Sequence, residues 1–199
     1  MAARAGARVV FEGRVGYGSA LRRGLREARG DLVVIADADG TYPFDHLGAL
    51  LAPLHEGRVT GTRLRGRLHP GAMPFLHRYI GVPFLTFLVN RLFGLRLSDG
   101  HCGMRAFTRR ALEVIAPEAP GMEFATEVLI RPARSGLRIV EVPIEYRPRP
   151  PGSRSGRCAR ATVRSRPSTW APTWCVGGTT PAGVPSSPAC VRAIARRRR

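Results

Sequence analysis

Short apolar runs alternate with segments of helical periodicity along the first 150 residues. The predicted strands are Arg8–Phe11, Leu32–Ala36, Arg58–Thr62 and Leu137–Val142. The predicted helices are Ser19–Arg29, His46–Leu54, Thr108–Ala116 and Glu123–Ser135. Because strands and helices take turns, we expect an α/β domain with a largely parallel sheet flanked by helices.

Two further segments do not fit this alternation. Arg63–Gly71 is polar, basic and contains glycine, and it is predicted to be a loop. Met73–Leu97 is mostly apolar but is interrupted by Pro74, Pro83 and Gly94, which indicates two short helices.

The pattern changes at Pro151. Hydrophobic periodicity stops there, and Pro, Gly, Ser, Thr and Arg dominate up to Arg199. Such a composition cannot build a packed core. We therefore expect a domain over residues 1–150 and, over residues 151–199, a disordered tail or the product of a shifted reading frame.

The net charge of +18 is spread unevenly. All basic residues are arginine, and the segment after residue 150 holds ten of the 32 arginines and none of the 14 acidic residues. A charge of this sign favours anionic partners such as phosphates or acidic lipid. The arginine-rich end indicates no specific nucleic-acid site.

Cysteine usage gives neither a zinc site nor a disulfide framework. The four cysteines, of which three lie after residue 150, show no C-x-x-C spacing. The N-terminus lacks the apolar core of a signal peptide, and no stretch reaches the roughly 20 apolar residues of a membrane span. A cytoplasmic setting is the default expectation.

The strongest chemical signal is Asp37-Ala38-Asp39, directly after the apolar run Leu32–Ala36. A strand that ends in Asp-x-Asp presents two carboxylates at the edge where open α/β sheets bind ligands. Two close carboxylates repel each other unless a cation lies between them. Mg²⁺ or Mn²⁺ takes one or two carboxylates and fills its other positions with water and phosphate. The spacing alone is weak evidence, since many loops carry two aspartates as turn formers.

Further segments along the chain strengthen the evidence from Asp37-Ala38-Asp39. The segments are Gly16-Tyr17-Gly18-Ser19-Ala20-Leu21, Ala28-Arg29-Gly30-Asp31, Asp37 to Pro43, Gly61-Thr62-Arg63, Ser98 to Ala106, Gly121 to Phe124 with Glu127, and Arg138 to Ile144. In order and spacing they resemble family 2 glycosyltransferases, above all the polyprenyl-phosphate (dolichyl-phosphate) mannose and glucose synthases. The resemblance covers about residues 8–150.

This resemblance implies a GT-A type fold and a metal-dependent, inverting transfer of mannose or glucose from a GDP- or UDP-sugar to a polyprenyl phosphate. Carried over by position, Asp37 and Asp39 would hold the donor diphosphate and a Mg²⁺ or Mn²⁺ ion, and Asp99 would line the same cleft as a catalytic residue. The implied positions for phosphates and the donor are Arg63, Arg78, Arg149 and Glu127.

Two departures from the family pattern bear on activity. The family's Pro-x-x-Asn-Glu and Asp-x-Gly-Ser-x-Asp motifs, which hold the nucleotide, do not occur in this chain. After Gly152-Ser153-Arg154-Ser155 the sequence no longer resembles the family. We therefore expect a truncated domain, and inactivity of this fragment stays open as an alternative.

Two alternatives to this function stay open, and the segment Phe75–Leu95 has two possible interpretations. The chain could be a non-catalytic remnant that binds anions, or a family 2 enzyme with a polysaccharide acceptor. Phe75–Leu95 has an apolar face with Arg78 and Arg91 among its aromatic residues. It is predicted either to lie in a membrane interface and receive a lipid acceptor, at the inner face of the membrane, or to be an ordinary core helix.

Overall fold

The computed structural model describes residues 7–37, 39–45, 47–56 and 58–150, together with four short strands beyond residue 150. Side chains are described up to residue 150, apart from residues 55–59. The elements up to that point are β1 (Arg8–Glu12), α1 (Tyr17–Glu27), β2 (Leu32–Ile35), α2 (Leu47–Leu51), β3 (Arg58–Leu68), α3 (Val82–Phe93), β4 (Arg105–Thr108), α4 (Arg109–Ile115), α5 (Phe124–Arg134) and β5 (Ile139–Tyr146). A 3₁₀ turn, Ala52–Glu56, follows α2, and a π-helical turn, His77–Gly81, precedes α3.

The main sheet has the strand order β2-β4-β3-β5. β4 pairs antiparallel with both of its neighbours, and β3 pairs parallel with β5. Three strands therefore share one direction, and β4 runs against them. The predicted α/β sheet flanked by helices is confirmed, with the refinement that the sheet is mixed.

Alternate residues of β2 feed two apolar cores, one on each face of the sheet. Val33 and Ile35 pack with residues of α1, α4 and α5 on one face. Val34 packs with Leu50 of α2 and Ala106 of β4 on the other. Since successive side chains of a strand point to opposite faces, a strand buried on both sides must be apolar throughout, and β2 is.

Strand β3 is longer than the sequence predicts. The strand was expected to end at Thr62 and a loop to follow, but pairing with β5 resumes after an irregularity, with Arg67 opposite Glu145 and Leu68 opposite Tyr146. Side chains in this stretch alternate in exposure, since Arg65 and Arg67 are exposed and the residues between and beside them are not. The prediction of a loop over Arg63–Gly71 is therefore wrong up to Leu68.

The segment Met73–Leu97 also differs from expectation. The π-helical turn leads directly into α3, so that one helical stretch replaces the two predicted helices. Pro83 lies in the first turn of α3, where a missing N–H costs little, and the wider turn before it accommodates the proline ring. Gly94 ends the helix in the left-handed conformation, with φ 66°.

Beyond residue 150 the structure describes the backbone strands β6 (Ala159–Val163), β7 (Ala171–Gly178), β8 (Ala189–Arg192) and β9 (Ile194–Ala195). β1 pairs with β6 and β7 in a second sheet. Within these strands the backbone is paired. Most of the segment predicted to be disordered lies outside the described residues, and the boundary near residue 150 stays a prediction.

Among the described residues, no helix is both long enough and apolar enough to cross a bilayer.

Candidate active site

The sheet topology gathers four segments at one edge. The loop that begins at Asp37 follows β2, and the loop that precedes β4 meets it because Ile35 pairs with Arg105 across the antiparallel ladder. The second half of β3 and the end of β5 reach the same edge, since both strands run parallel to β2. Chain segments far apart in sequence therefore meet around the acidic pair.

Asp37 lies in a tight, partly buried position. A Cβ on Gly103 would come within 2.5 Å of Asp37 Oδ2, so only glycine leaves room for the carboxylate there. The Gly103 N–H donates to the hydroxyl of buried Tyr42 at 2.9 Å, which fixes the loop against the acid. Among the described residues no hydrogen-bond donor reaches the Asp37 carboxylate.

The electrostatics of Asp37 reflect this environment. Burial, together with the charge of Asp39, raises its pKa to about 6, although Arg63, Arg149 and Arg105 oppose the rise. A carboxylate that is buried next to another acid and lacks a donor is a position that gains from a bound cation.

Both carboxylate oxygens of Asp39 have partners. Oδ1 accepts hydrogen bonds from Thr41 N at 3.1 Å and Thr41 Oγ1 at 2.6 Å, which closes a short turn within the loop. Oδ2 accepts a hydrogen bond from Arg149 Nε at 2.8 Å, in an ion pair where the Asp39 side chain is 7% exposed and the Arg149 side chain 40%. Arg149, predicted to bind phosphate, thus reaches the acidic pair from beyond β5.

Asp99 and Arg63, both predicted site residues, bind each other. The Arg63 guanidinium donates from Nε to Oδ2 at 2.7 Å and from Nη2 to Oδ1 at 2.8 Å, and its backbone N–H donates to Oδ2 at 3.1 Å. Arg63 is 6% exposed and Asp99 is fully buried. Burial by itself would raise the pKa of Asp99, but the hydrogen bonds and charge of Arg63 outweigh it, so the pKa lies below its usual value. In this structure each group is the partner of the other, and a direct role toward substrate stays a prediction for both.

Two charged residues that the sequence analysis did not single out hold the loop before β4 in place. Glu141 of β5 accepts hydrogen bonds from the Asp99 N–H at 3.0 Å and from both the N–H and the hydroxyl of Ser98. Arg105, which is 4% exposed, donates to the carbonyl oxygens of Cys102 at 2.9 Å, Ala125 at 2.7 Å and Gly100 at 3.0 Å. Burial lowers the pKa of Arg105. Neither residue had a signal of its own in the sequence, because each acts through partners distant along the chain.

Glu127 and Arg78 lie apart from this constellation. Glu127 accepts the N–H groups of Glu118 and Ala119 and pairs with Arg131 at 2.9 Å, so it closes the loop between α4 and α5. Arg78 is exposed on the π-helical turn, with its guanidinium 5.1 Å from the ring centre of Tyr79. The contacts described for these two side chains do not link them to Asp37 or Asp39, and their predicted roles remain predictions.

The donor set suits a Mg²⁺ or Mn²⁺ ion shared with substrate. Among the described residues no group of three or more His, Cys, Asp or Glu side chains could hold a metal by itself. A pair of carboxylates is what these hard cations take when phosphate and water complete the shell. Cys102 is fully buried against Tyr42 and Met104, which is typical of a structural cysteine.

The helical stretch through α3 carries an exposed apolar patch. Its members are 41–74% exposed: Phe75, Leu76, Tyr79, Ile80, Phe84, Leu85, Phe87, Leu88 and Leu92. The residues of α3 that are buried are Val82, Thr86 and Val89. The alternative that this segment is an ordinary core helix is therefore wrong, because most of its large apolar side chains face away from the core.

Comparison with known proteins identifies the family to which this arrangement belongs. The family model "Glycosyl transferase family 2" matches residues 2–116. The chain belongs to glycosyl transferase family 2. It is 41% identical over 152 residues to the low-salt glycan biosynthesis hexosyltransferase Agl6 of Haloferax volcanii, covering 75% of this chain and 37% of that protein. It is 36% identical over 152 residues to a dolichyl-phosphate hexose transferase of the same organism, covering 75% of this chain and 64% of that protein.

A solved structure supports the fold assignment of this family 2 chain. It is glucosyl-3-phosphoglycerate synthase from Mycobacterium tuberculosis in complex with Mn²⁺, UDP-glucose and glycerol 3-phosphate. The TM-score is 0.50 at 29% identity, covering 70% of this chain and 50% of that one. This chain thus spans between about a third and two thirds of the length of these three proteins.

The Asp99–Arg63 pair yields a prediction about stability. Asp99→Ala leaves the Arg63 guanidinium buried without its partner, so we expect the free energy of unfolding to fall by about 3–5 kcal/mol. Glu118→Ala is the control, since the Glu118 side chain is 73% exposed in its pair with Arg131 and should cost at most about 1 kcal/mol. Urea unfolding followed by circular dichroism measures both, and equal small losses would contradict the account.

Asp37 yields a prediction about pH. Its folded pKa of about 6 lies above the unfolded value near 4, so its favourable contribution is complete below pH ~4 and is lost as the pH rises through ~6. Without metal, Asp37→Asn should therefore be more stable than the wild type at pH 8, by about 1–3 kcal/mol, and equally stable near pH 4. Urea unfolding in EDTA across this range tests it.

Asp31→Asn is the matched control for this pH prediction, because Asp31 is an exposed aspartate outside the site. If the free energy of unfolding of the wild type changed with pH in parallel with that of Asp37→Asn, the Asp37 carboxylate would not be destabilised by its surroundings.

Proposed function

We propose that this chain carries the catalytic half-site of a metal-dependent, inverting hexosyltransferase that moves mannose or glucose from a GDP- or UDP-sugar to a polyprenyl phosphate. The observation that carries the proposal is the acidic pair at the end of β2, where the partly buried Asp37 lies beside Asp39 and accepts no hydrogen bond from the described residues. Support for the substrates comes from similar proteins, one named as a dolichyl-phosphate hexose transferase and one solved with Mn²⁺ and UDP-glucose.

The residues of this chain supply positioning and charge. Asp37 and Asp39 would hold a Mg²⁺ or Mn²⁺ ion, which when bound neutralises the charge that develops on the leaving diphosphate. The rigid end of β2, packed against Gly103, keeps the Asp37 carboxylate in place. Arg105 and Glu141 fix the loop before β4, and that loop packs against the Asp37 carboxylate through Gly103.

Proton transfer is a small part of this chemistry. The second pKa of a phosphate monoester is about 6, so a polyprenyl phosphate is mostly dianionic at neutral pH and can attack the anomeric carbon without a general base. A single displacement of this kind inverts the anomeric centre. The Asp99 carboxylate accepts hydrogen bonds from Arg63, so in this proposal Asp99 positions Arg63 and the loop before β4 and does not transfer a proton.

The apolar patch of α3 suits a lipid substrate. Its exposed aromatic and aliphatic side chains lie on the same helical stretch as Arg78 and Arg91, both exposed, with exposed Arg96 just beyond. Apolar side chains flanked by arginines are the composition of helices that bind at anionic bilayer interfaces. We therefore place the protein at the inner face of the membrane as a peripheral protein in this proposal.

Donor binding tests the proposal directly. We expect UDP-glucose or GDP-mannose to bind in the presence of Mn²⁺, and binding to fall at least about tenfold in Asp39→Asn, because a metal ligand is lost. Asp45→Asn, an exposed aspartate of the same loop, should bind like the wild type. Calorimetric titration measures all three proteins.

Absence of any donor binding at millimolar concentration would instead support a non-catalytic remnant. Transfer of the hexose to a polysaccharide but not to a polyprenyl phosphate would overturn the acceptor assignment.

Membrane association provides a separate prediction. The double variant Phe84→Asp and Leu88→Asp places two charges in the apolar patch, so we expect it to sediment at least about tenfold less with vesicles of phosphatidylcholine and phosphatidylglycerol. Val114→Asp changes an exposed apolar residue on α4, outside the patch, and should sediment like the wild type. Equal sedimentation of all three proteins would contradict the assignment of α3.

A further inference from the structure

The carboxylate of Asp39 has no free oxygen in this structure. Thr41 occupies Oδ1 through its backbone and side chain, and the Arg149 guanidinium occupies Oδ2 at 2.8 Å. The bonds to Oδ1 form within the loop, between residues two positions apart. The bond to Oδ2 comes from a residue 110 positions away. A cation that bound Asp39 through Oδ2 would therefore compete with the positively charged Arg149 guanidinium for that oxygen.

Arg149 is delivered by a segment, residues 147–150, that is anchored to the same loop. The Arg147 N–H donates to the Thr41 carbonyl at 2.9 Å. Just before this segment, the Tyr146 ring lies 5.1 Å from the ring of Tyr42. Pro150 lies close to Gly40, since a Cβ added to Gly40 would lie 3.1 Å from Pro150 Cγ. We name residues 147–150 the strap.

The strap's backbone and the Arg149 side chain have different freedom. The backbone is held by the Arg147 hydrogen bond and the contact of Pro150 with Gly40. The Arg149 side chain is 40% exposed, whereas the Asp39 side chain it contacts is 7% exposed. The guanidinium can therefore leave Asp39 by rotating into solvent, while the strap stays in place.

We propose that Arg149 is an exchangeable counter-ion of the acidic pair, which occupies Asp39 Oδ2 until a divalent cation displaces it. The released guanidinium then stays beside the site, where the oxygens of a diphosphate offer it the bidentate pairing that arginine favours. Metal and donor thus bind in a coupled way, because the cation frees the group that contacts the phosphates. The inference rests on the proposed function in taking Asp39 as a metal ligand.

The test is the affinity of the 199-residue chain for Mn²⁺ alone, measured by electron paramagnetic resonance of the free ion. Arg149→Gln removes the competitor, so we expect Mn²⁺ to bind about two- to fivefold more tightly than in the wild type, the range for a partly exposed ion pair. Arg149→Lys keeps a cation at the site and should return the affinity towards the wild-type value.

Arg147→Gln is the matched control. It removes the same charge two positions before Arg149, and the Arg147 side chain pairs with Glu145 at 2.9 Å rather than with Asp39. A general effect of net charge would strengthen Mn²⁺ binding equally in both glutamine variants, and that result would overturn the inference. Weaker Mn²⁺ binding by Arg149→Gln than by the wild type would also overturn it.

The outcomes separate this inference from the proposed function. If wild type and Arg147→Gln bind Mn²⁺ and Arg149→Gln binds no more tightly, the inference fails and the metal site stands. If none of the proteins binds Mn²⁺ at millimolar concentration, the metal site and the inference fail together.

Discussion

The antiparallel pairing of β4 with β2 decides where the rest of the site lies. Because β4 runs against β2, the loop before β4 meets the loop after β2 at one edge of the sheet. Gly103 can then pack on the Asp37 carboxylate, and Tyr42 can accept the Gly103 N–H. In a wholly parallel sheet the segment before a strand would lie at the opposite edge, and the acidic pair would lack this wall.

The two aspartates Asp99 and Asp37 differ in how their charge is compensated. Asp99 is buried and fully compensated by Arg63, with Glu141 holding its backbone, so it is part of the framework. Asp37 is partly buried and is compensated only in part by the nearby arginines, so burial and the charge of Asp39 raise its pKa to about 6. Stability favours the first arrangement. The second costs free energy in the absence of a ligand, which is typical of positions that serve binding or catalysis.

Much of the framework could be predicted from local sequence. The apolar run of β2 and the periodicity of α1, α4 and α5 were visible because burial demands these patterns. β4 was missed, since its four residues follow a glycine-containing segment and become a strand only through their partners β2 and β3. The length of β3 was missed for the same reason, because β5 lies some 80 residues further along the chain.

The candidate site likewise has features that local sequence predicts and features that depend on distant partners. Asp37 and Asp39 could be found from their position after a buried strand. The partner of Arg63 could not, because Asp99 lies 36 positions away and no periodicity links the two. Glu127 looked like a cleft residue by resemblance, yet its neighbours at the start of α5 and in the preceding loop take up its carboxylate. Local patterns report burial and turns, whereas pairing of charges depends on the tertiary structure.

The central proposal is that Asp37 and Asp39 form the metal and diphosphate site of this family 2 chain. Electron–nuclear double resonance on Mn²⁺ bound together with UDP-glucose tests it most directly, because a ³¹P coupling reports phosphate oxygen on the bound ion. The account predicts a ³¹P coupling in the wild type and no protein-bound Mn²⁺ signal in a variant with both aspartates changed to asparagine. Protein-bound Mn²⁺ without ³¹P coupling, or an unchanged signal in the double variant, would contradict it.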